Sequence, residues 1–324
     1  MSEIGVIGAG AWGTALAIQA ARAGRSVTLW ARDPVRAEEF ARTRTTTRLP
    51  GIPLPDSIRV TATMPLASEA LLLAVPVQHF RSIARQLPGR SPIVVCAKGV
   101  ESGTHLLPME ILTQLHPGRP VAVLAGPNFA GEVAAGLPAA AVIAATDTRL
   151  RTHLSGLLAT PQFRLYGNDD PIGAQIGGAA KNVIAIAAGA VIGAGLGENA
   201  RAALITRGVA EISRLIVALG GRVETVMGLS GLGDLLLTCT GASSRNFSLG
   251  VALGRGQALA DILASRTGVT EGVATAPALV ARAGGLELPI CAAIAAVIEG
   301  RTSLDAAISA LLSRPRREEN GGYF

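Results

Sequence analysis

The chain of 324 residues contains only two lysines, although lysine and arginine together number 29. Arginine therefore carries nearly all of the positive charge. Arginine stays protonated at any working pH, whereas a buried or crowded lysine shifts its pKa and can exchange a proton. The two lysines, Lys98 and Lys181, both lie in apolar, glycine-rich stretches. They are candidates for proton transfer that arginine cannot perform. The alternative is that a general arginine bias left them by chance on the surface.

Cysteine and histidine are also scarce. The three cysteines (Cys96, Cys239 and Cys291) are far apart, odd in number and in no CxxC spacing. They predict neither a disulfide framework nor a zinc site. The four histidines are scattered and form no HExxH motif. We therefore expect no metal site and a protein of the reducing cytoplasm.

Aromatic residues make up 3% of the chain, against 49% hydrophobic residues and 39 glycines. This composition indicates a helical or α/β protein packed from small side chains. The N-terminus carries an acid and no basic region, so it does not read as a signal peptide. The apolar run Asn182–Gly197 is rich in Ala and Gly and shorter than a membrane span. We expect no membrane insertion.

Basic residues are dispersed, although the net charge is +6 and the isoelectric point is about 10.0. The one basic cluster is RPRR at 314–317, beside Glu318 and Glu319. This mixture of charges indicates a solvated tail, and we expect no nucleic-acid partner. A basic protein does suit anionic small molecules such as phosphates.

Short apolar runs alternate with helical stretches in the first half of the chain, which predicts strands of a mostly parallel sheet covered on both faces. The predicted strands are Ile4–Gly8, Ser26–Trp30, Ile58–Thr61, Ala70–Val75, Pro92–Ala97, Val121–Ala125, Ala140–Ala145 and Phe163–Tyr166. From about residue 175 the strand signals fade and helical spacing takes over. The predicted helices there are 179–194, 200–219, 247–263, 273–283, 289–299 and 303–313. We expect an α/β domain over 1–175 and a helical domain over 176–324.

The glycine motif Gly8-Ala9-Gly10-Ala11-Trp12-Gly13 follows the first predicted strand and opens the first predicted helix, Trp12–Ala23. In a dinucleotide fold, Gly8 permits the tight turn, Gly10 allows close approach of a pyrophosphate, and Gly13 allows helix–strand packing. The helix N-terminus then offers unpaired N–H groups to the phosphates. This position in the chain favours a dinucleotide site over a purely structural turn.

The end of the second strand bears on which nicotinamide cofactor binds. An acid there holds the ribose 2′-OH of NAD, whereas an arginine accommodates the 2′-phosphate of NADP. The usual acid position is Ala31, and Arg32 follows it. Asp33 is the competing candidate for the ribose, and Arg32 could be an ordinary surface residue. We favour NADP(H).

Three further clusters carry polar groups. Gly126–Ala130 (GPNFA) follows a predicted strand at the carboxyl edge of the sheet, where ligands bind in open α/β folds, and Lys98 should open onto the same edge. Ser244, Arg245 and Asn246 offer hydroxyl, guanidinium and amide donors, which suit a phosphate. Asp234 lies in an apolar run and could equally be a helix cap.

Seven motifs occur in order across nearly the whole chain: GAGAWGTALA, CAKGVE, AGPNFAGEVAAGLP, GGAAKNVIAIAAG, NARAALITRG, GLGDLLLTCTGASSRN and GVTEG. In these motifs the chain resembles the bacterial NAD(P)-dependent sn-glycerol-3-phosphate dehydrogenase family. The resemblance implies an N-terminal Rossmann-type doubly wound sheet and an all-helical C-terminal domain of the 6-phosphogluconate-dehydrogenase type. It also implies a cytoplasmic homodimer that interconverts dihydroxyacetone phosphate and glycerol 3-phosphate, with the reduction feeding phospholipid synthesis.

The resemblance also assigns roles to residues. Lys181 takes the place of the catalytic lysine, and Lys98 that of a lysine touching substrate and cofactor. The remaining substrate positions are Gly126, Asn128, Asp234, Ser244, Arg245 and Asn246. The cofactor positions, beside the glycines of the motif, are Ala11, Trp12, Arg32, Ala130, Arg245, Val269 and Glu271. Ala11 stands where the family often has Ser, and Asn128 where Thr or Ser is more usual.

Reduction of a ketone needs a hydride at carbon and a proton at oxygen. The nicotinamide supplies the hydride, and Lys181 is the candidate for the proton. Burial and the like charge of Lys98 would lower its pKa, and Asp234 would temper that effect. Two alternatives stay open: a related ketone or hydroxyacid reductase with the same two domains, and a non-catalytic NAD(P)-binding sensor.

Overall fold

The structure is a computed structural model, and it describes residues 3–66 and 68–315. The chain forms two compact units: Met1–Ala97 with Pro108–Pro171, and Lys98–Leu107 with Ile172–Phe324. The boundary after Pro171 lies four residues before the predicted one, and Lys98 falls in the second unit rather than the first. The reason is that Val100 and Leu107 are buried in the apolar core of the second unit. Part of the predicted basic tail, residues 316–319, lies outside the described residues.

The first unit is built on one eight-stranded sheet in the order β3-β2-β1-β4-β5-β6-β7-β8. Its strands are β1 Glu3–Ile7, β2 Ser26–Trp30, β3 Ile58–Thr61, β4 Ala70–Leu73, β5 Ile93–Val95, β6 Val121–Ala125, β7 Ala139–Ala144 and β8 Phe163–Asn168. All neighbouring strands are parallel except β6 and β7. The reversal of strand order at β1 and β4 is the switch point typical of doubly wound folds. The predicted mostly parallel sheet is confirmed.

Helices connect these strands. They are α1 Ala11–Arg22, α2 Pro34–Thr43, α3 Val77–Ala84, α4 Pro108–Leu115, α5 Ala130–Ala135 and α6 Thr148–Leu158. The central strand β4 is buried along its whole length, because helices cover both faces of a parallel sheet. Helix α1 leaves the carboxyl end of β1, so its N-terminus lies at the edge of the sheet where ligands bind in such folds.

The second unit is helical, and no strand occurs among its described residues. Its helices are α7 Pro171–Gly193, α8 Gly197–Ala218, α9 Asp234–Thr240, α10 Arg245–Gly254, α11 Leu259–Ala264, α12 Glu271–Arg282, α13 Pro289–Ile298 and α14 Leu304–Leu312, with a 3₁₀ turn at Val223–Met227 and a π turn at Leu229–Gly233. The single helix predicted over 247–263 is wrong. Helix α10 ends at Gly254, and Gly256 adopts the left-handed conformation that stops a helix.

Helices α7 and α10 touch along their backbones. A Cβ on Gly189 of α7 would lie 2.0 Å from the carbonyl oxygen of Phe247, and one on Gly250 of α10 would lie 2.0 Å from that of Ile186. Only glycine fits at such a crossing. The contact fixes the first turn of α10 relative to the middle of α7, which matters for the site described below.

Helix α7 is long and apolar enough to cross a membrane by length and composition, and it alone passes that test in the described part of the chain. However, 89% of its most apolar window is buried inside the protein. A helix that is apolar all round and buried in this way is a core helix of the unit.

Candidate nucleotide and catalytic sites

The glycine turn between β1 and α1 has the geometry that a dinucleotide needs. Gly8 has φ +114°, and its N–H donates to the carbonyl oxygen of Trp30 at 3.0 Å. A Cβ on Gly13 would lie 1.8 Å from the carbonyl oxygen of Gly8, so the helix packs directly on the turn. A Cβ on Gly10 would meet no protein atom within 4 Å. Gly8 is therefore required by its backbone conformation and Gly13 by packing, whereas Gly10 leaves open space beside the turn.

The open space at Gly10 is the test of whether a cofactor fits. Gly10 precedes the first residue of α1, and the first N–H groups of a helix have no partner within it. A pyrophosphate at Gly10 would receive these N–H groups and the positive end of the helix dipole. The indole N–H of Trp12 is buried and has no hydrogen-bond partner among the described residues. The residues present therefore fit a dinucleotide.

The loop after β2 distinguishes the two candidates for ribose recognition. Ala31 is buried, and Arg32 is exposed with no hydrogen bond or ion pair to the described residues. Asp33 caps helix α2: one carboxylate oxygen accepts from the N–H of Val35 at 3.0 Å and of Arg36 at 3.4 Å. The structure thus uses Asp33 Oδ1 as a helix cap and has Oδ2 3.5 Å from Arg36 Nε, whereas the Arg32 side chain is exposed.

The loop between β6 and α5 also belongs to the first unit. Gly126 has φ +141°, and a Cβ there would lie 3.0 Å from the Cα of Ala141. The amide nitrogen of Asn128 donates to the carbonyl oxygen of Ala140 at 3.1 Å. The other side of that amide, Oδ1, is buried and has no partner in the described part of the chain. Ala130 begins α5.

The second unit contains a cluster of one buried aspartate, one buried lysine and one half-buried lysine. Lys98 Nζ lies 2.5 Å from Asp234 Oδ2, and Lys181 Nζ lies 2.5 Å from Asp234 Oδ1. The exposed fractions of the three side chains are 18%, 10% and 1% in the order Lys98, Lys181, Asp234. Asp234 begins α9 but does not cap it, because its carboxylate is held by the lysines. One carboxylate thus faces two ammonium groups.

The environment of Lys181 lowers its pKa to about 8. Burial is the largest cause, because it penalises the charged amine. The positive charge of Lys98 lowers the pKa further, whereas the charge and hydrogen bond of Asp234 raise it. A pKa of about 8 lets the amine gain and lose a proton near neutral pH.

Neighbouring side chains hold the cluster in place. The hydroxyl of Thr238 accepts from Lys181 Nζ at 2.9 Å and donates to the carbonyl oxygen of Asp234 at 2.6 Å, one turn earlier in α9. A Cβ on Gly178 of α7 would lie 3.3 Å from Cγ of Lys98, so the Lys98 side chain runs along the α7 backbone. Both lysines are thereby directed at the same carboxylate.

The first turn of α10 carries the predicted phosphate donors. Ser244 caps the helix, and its Oγ accepts from the N–H of Phe247 at 3.2 Å. Arg245 is exposed at the first helical position. Asn246 differs from the expectation of a free donor: its amide nitrogen donates to Asn182 Oδ1 at 2.9 Å, and its Oδ1 accepts from the N–H of Gly272 at 3.0 Å.

Asn246 therefore connects α7 with the start of α12, where the predicted cofactor residues lie. Val269 is 46% exposed in the loop before α12, and Glu271 is the first residue of that helix.

Sequence reasoning missed several residues of this region. Asn182 and Thr238 are buried polar residues within apolar runs, which is a signal that the sequence does carry. Arg266 reaches the first turn of α10 from the loop after α11, 21 residues further along the chain. No local pattern marks it.

A dinucleotide turn on a doubly wound sheet and a buried lysine that can exchange a proton define a nicotinamide-dependent oxidoreductase. Comparison with known proteins agrees. Residues 3–151 match the NAD-dependent glycerol-3-phosphate dehydrogenase N-terminus, and residues 170–309 match the C-terminus of the same family.

Similar proteins cover the chain from end to end. The glycerol-3-phosphate dehydrogenases [NAD(P)+] of Acidiphilium cryptum and Gluconobacter oxydans are 58% and 53% identical to it, each with 98% of both chains covered. The crystal structure of glycerol-3-phosphate dehydrogenase from Coxiella burnetii superposes with a TM-score of 0.91 at 35% identity, covering 97% of this chain and 99% of that one. The chain belongs to the NAD-dependent glycerol-3-phosphate dehydrogenase family, so the resemblance in its motifs is confirmed and NAD(P) is its cofactor.

Proposed function

We propose that the protein reduces dihydroxyacetone phosphate to sn-glycerol 3-phosphate with NADPH, reversibly, and so supplies glycerophospholipid synthesis. The observation that carries the proposal is the Lys181 amine, which is buried against Asp234 and has a pKa of about 8. A ketone reductase needs such a group, and neither a sensor nor a structural protein does. Family membership supports the choice of substrate.

The proton step belongs to Lys181. The nicotinamide supplies a hydride to the carbonyl carbon when it is bound. The Lys181 ammonium hydrogen-bonds the carbonyl oxygen and transfers its proton as that oxygen becomes an alcohol. In the oxidation direction the neutral amine accepts the proton instead. Such positioned acid–base groups contribute about 10²–10⁴-fold to rate.

Lys98 and Asp234 tune this step. Asp234 holds the Lys181 ammonium at a fixed position, because its carboxylate is itself fixed by Lys98. Lys98 supplies the like charge that favours release of the proton. We assign Lys98 to the substrate and cofactor as well, in keeping with the role that the family motif gives to it.

The substrate phosphate binds at the first turn of α10. Arg245 provides a charge-assisted contact, and the helix N-terminus adds its dipole. Ser244 still has a hydroxyl proton to donate, although its oxygen caps the helix. We assign Gly126 and Asn128 to the substrate as well, because the unpaired Oδ1 of Asn128 can accept from a hydroxyl. Asn246 contributes mainly by fixing this turn.

The cofactor contacts the glycine turn, the N–H groups at Ala11 and Trp12, and Arg32. We place Ala130, Val269 and Glu271 with the cofactor on family grounds. The capping role of Asp33 supports NADPH over NADH. We further propose a cytoplasmic homodimer that neither inserts into membranes nor binds nucleic acid, in keeping with the burial of α7 and the dispersed charge.

A substrate panel tests the proposal. NADPH oxidation is followed with dihydroxyacetone phosphate, dihydroxyacetone, ketopantoate and pyruvate. We expect turnover with the phosphorylated ketone and very little with the others. Preference for a 2-keto acid would favour a related hydroxyacid or ketone reductase. Binding of NADPH without turnover of any compound would favour the sensor.

A further inference from the structure

The loop between α11 and α12, residues 265–270, lies along the first turn of α10. Arg266 in this loop makes the contact. Its Nη1 donates to the carbonyl oxygen of Arg245 at 2.7 Å and to Thr270 Oγ1 at 3.4 Å. Its Nη2 donates to Ser248 Oγ at 3.0 Å. The guanidinium of Arg266 therefore links the Arg245 carbonyl oxygen to Ser248 of the same helix and to Thr270 at the end of the loop.

The same loop also contacts the side chain of Arg245. A Cβ on Gly268 would lie 2.8 Å from Arg245 Nη1 and 3.5 Å from its Cδ. The end of the Arg245 side chain thus lies close to the loop at Gly268, where a larger residue would displace the guanidinium. The loop therefore bonds to the carbonyl oxygen of Arg245 through Arg266 and approaches the Arg245 guanidinium at Gly268.

Arg266 brings a second positive charge close to Arg245. It is half-buried, and no carboxylate lies within ion-pair distance of it in the described part of the chain. Burial lowers its pKa, and the charge of Arg245 lowers it further. A second positive charge near Arg245 strengthens the attraction of this turn for a phosphate group.

We propose that Arg266 is the positioning residue for Arg245 and the second positive charge of its phosphate site, which makes that site select a phosphate dianion. The inference rests on the proposed role of Arg245. The phosphate is that of the substrate, a monoester with close to two negative charges near neutral pH, whereas each phosphate of the cofactor's pyrophosphate carries one.

The test compares Arg266→Gln, which loses the charge, with Arg266→Lys, which keeps it but loses the planar fork. KM and kcat are measured separately for dihydroxyacetone phosphate and NADPH. We expect Arg266→Gln to raise KM for the substrate about tenfold, equivalent to about 1.4 kcal/mol, with kcat nearly unchanged. Arg266→Lys should recover most of the affinity. A rise in KM for NADPH alone would overturn the dianion site, because the one phosphate monoester of NADPH is its 2′-phosphate, which is assigned to Arg32.

Matched controls separate charge from folding. Arg119→Gln removes another half-buried arginine that donates to two backbone carbonyls, those of Ser91 and Pro88, in the first unit. It should lower Tm and leave both KM values unchanged. Ser248→Ala removes one hydrogen bond of Arg266 and keeps its charge, so it should affect KM much less than Arg266→Gln.

Anion inhibition of the wild-type enzyme gives a test that does not depend on any variant folding. Sulfate, a dianion, should compete with dihydroxyacetone phosphate far better than monoanionic perchlorate at equal ionic strength. Equal inhibition by the two ions overturns the proposal. So do unchanged KM values in Arg266→Gln, or equal impairment of the Gln and Lys variants.

Arg245→Gln separates this inference from the proposed function. If Arg245→Gln raises KM for the substrate and Arg266→Gln raises neither KM, only the inference on Arg266 fails. If Arg245→Gln has no effect on either KM, Arg245 binds no phosphate and both assignments fail. If the wild-type protein shows no turnover of dihydroxyacetone phosphate, the proposed reaction itself is wrong.

Discussion

The glycine turn of the first unit and the lysine–aspartate cluster of the second are built in opposite ways to interact with a ligand. The turn is made from neighbours in the chain, Gly8 to Gly13, and offers uncharged backbone N–H groups. The cluster joins Lys98 and Lys181 to Asp234, which are 136 and 53 residues away from it in sequence. One site is local and neutral, and the other is long-range and charged.

This difference sets what each site tolerates. The turn has no room at Gly8 and Gly13, so it is sensitive to volume. The cluster contains two buried ionisable groups, Lys181 and Asp234, and the half-buried Lys98, so it is sensitive to charge. Removal of one partner from a buried ion pair typically costs about 3–5 kcal/mol, because the other charge is left uncompensated. Substitutions can therefore test the two modes separately.

The largest expected effect is at Lys181. Lys181→Arg keeps a positive charge beside Asp234 but cannot exchange a proton near neutral pH. We expect kcat to fall by about 10²–10⁴-fold while NADPH binding, measured by fluorescence titration, stays unchanged. Lys181→Ala serves as the control for loss of both charge and proton. Near-normal turnover of the arginine variant would remove the acid–base role from Lys181.

The next effect contrasts two glycines of the turn. Gly13→Ala puts a methyl group 1.8 Å from the Gly8 carbonyl oxygen, so the backbone must shift and Tm should fall. Overpacking of this kind costs about 1–3 kcal/mol. The methyl group added in Gly10→Ala would have no protein atom within 4 Å, so Tm should stay unchanged.

Gly10→Ala should nevertheless weaken NADPH about tenfold or more, equivalent to about 1.4 kcal/mol, because the methyl group occupies the space of the pyrophosphate. Thermal melting and NADPH titration of the two variants measure stability and binding independently. Wild-type affinity in Gly10→Ala would mean that the phosphates bind elsewhere.

The lysine–aspartate cluster should determine how the reaction rates and the folding stability depend on pH. With the pKa of Lys181 at about 8, kcat/KM for reduction should decline above pH 8, since the ammonium form is needed. The oxidation rate should instead rise with pH up to that value. Folding stability should rise with pH between about 8 and 10.4, because the unfolded chain retains a proton that the folded chain releases.

Two variants should move that profile in opposite directions. Asp234→Asn removes a charge that raises the pKa of Lys181, so the profile should shift to lower pH. Lys98→Met removes a charge that lowers it, so the profile should shift to higher pH. A profile that stays in place in both variants would show that Lys181 does not titrate in the observed step.

The smallest effect concerns Arg32. Because Arg32 is exposed, water and salt screen its pairing with a 2′-phosphate. We expect NADPH to be preferred over NADH by about tenfold, or about 1.4 kcal/mol. Arg32→Ala should weaken NADPH much more than NADH, and added salt should reduce the wild-type preference. Equal weakening of both cofactors would place Arg32 over the adenine instead.

Much of the fold follows from local patterns. The buried runs of β1, β2 and β4 and the helical spacing after residue 175 are visible without the structure. The errors occur where a single conformation interrupts a pattern. Gly256 splits the helix predicted over 247–263, and two apolar side chains, Val100 and Leu107, draw the segment after β5 into the helical unit. Neither event has a periodic signal.

The sequence alone determined the glycine turn, because each requirement of the turn is met within six neighbouring residues by the absence of a Cβ. It also marked Lys98 and Lys181 through the near-absence of lysine elsewhere. Only the tertiary structure decided that both lysines share Asp234, that Asn246 bonds to Asn182 and Gly272, and that Arg266 supports Arg245. A pKa depends on burial and on charges within a few ångströms, and those distances exist only once the chain has folded.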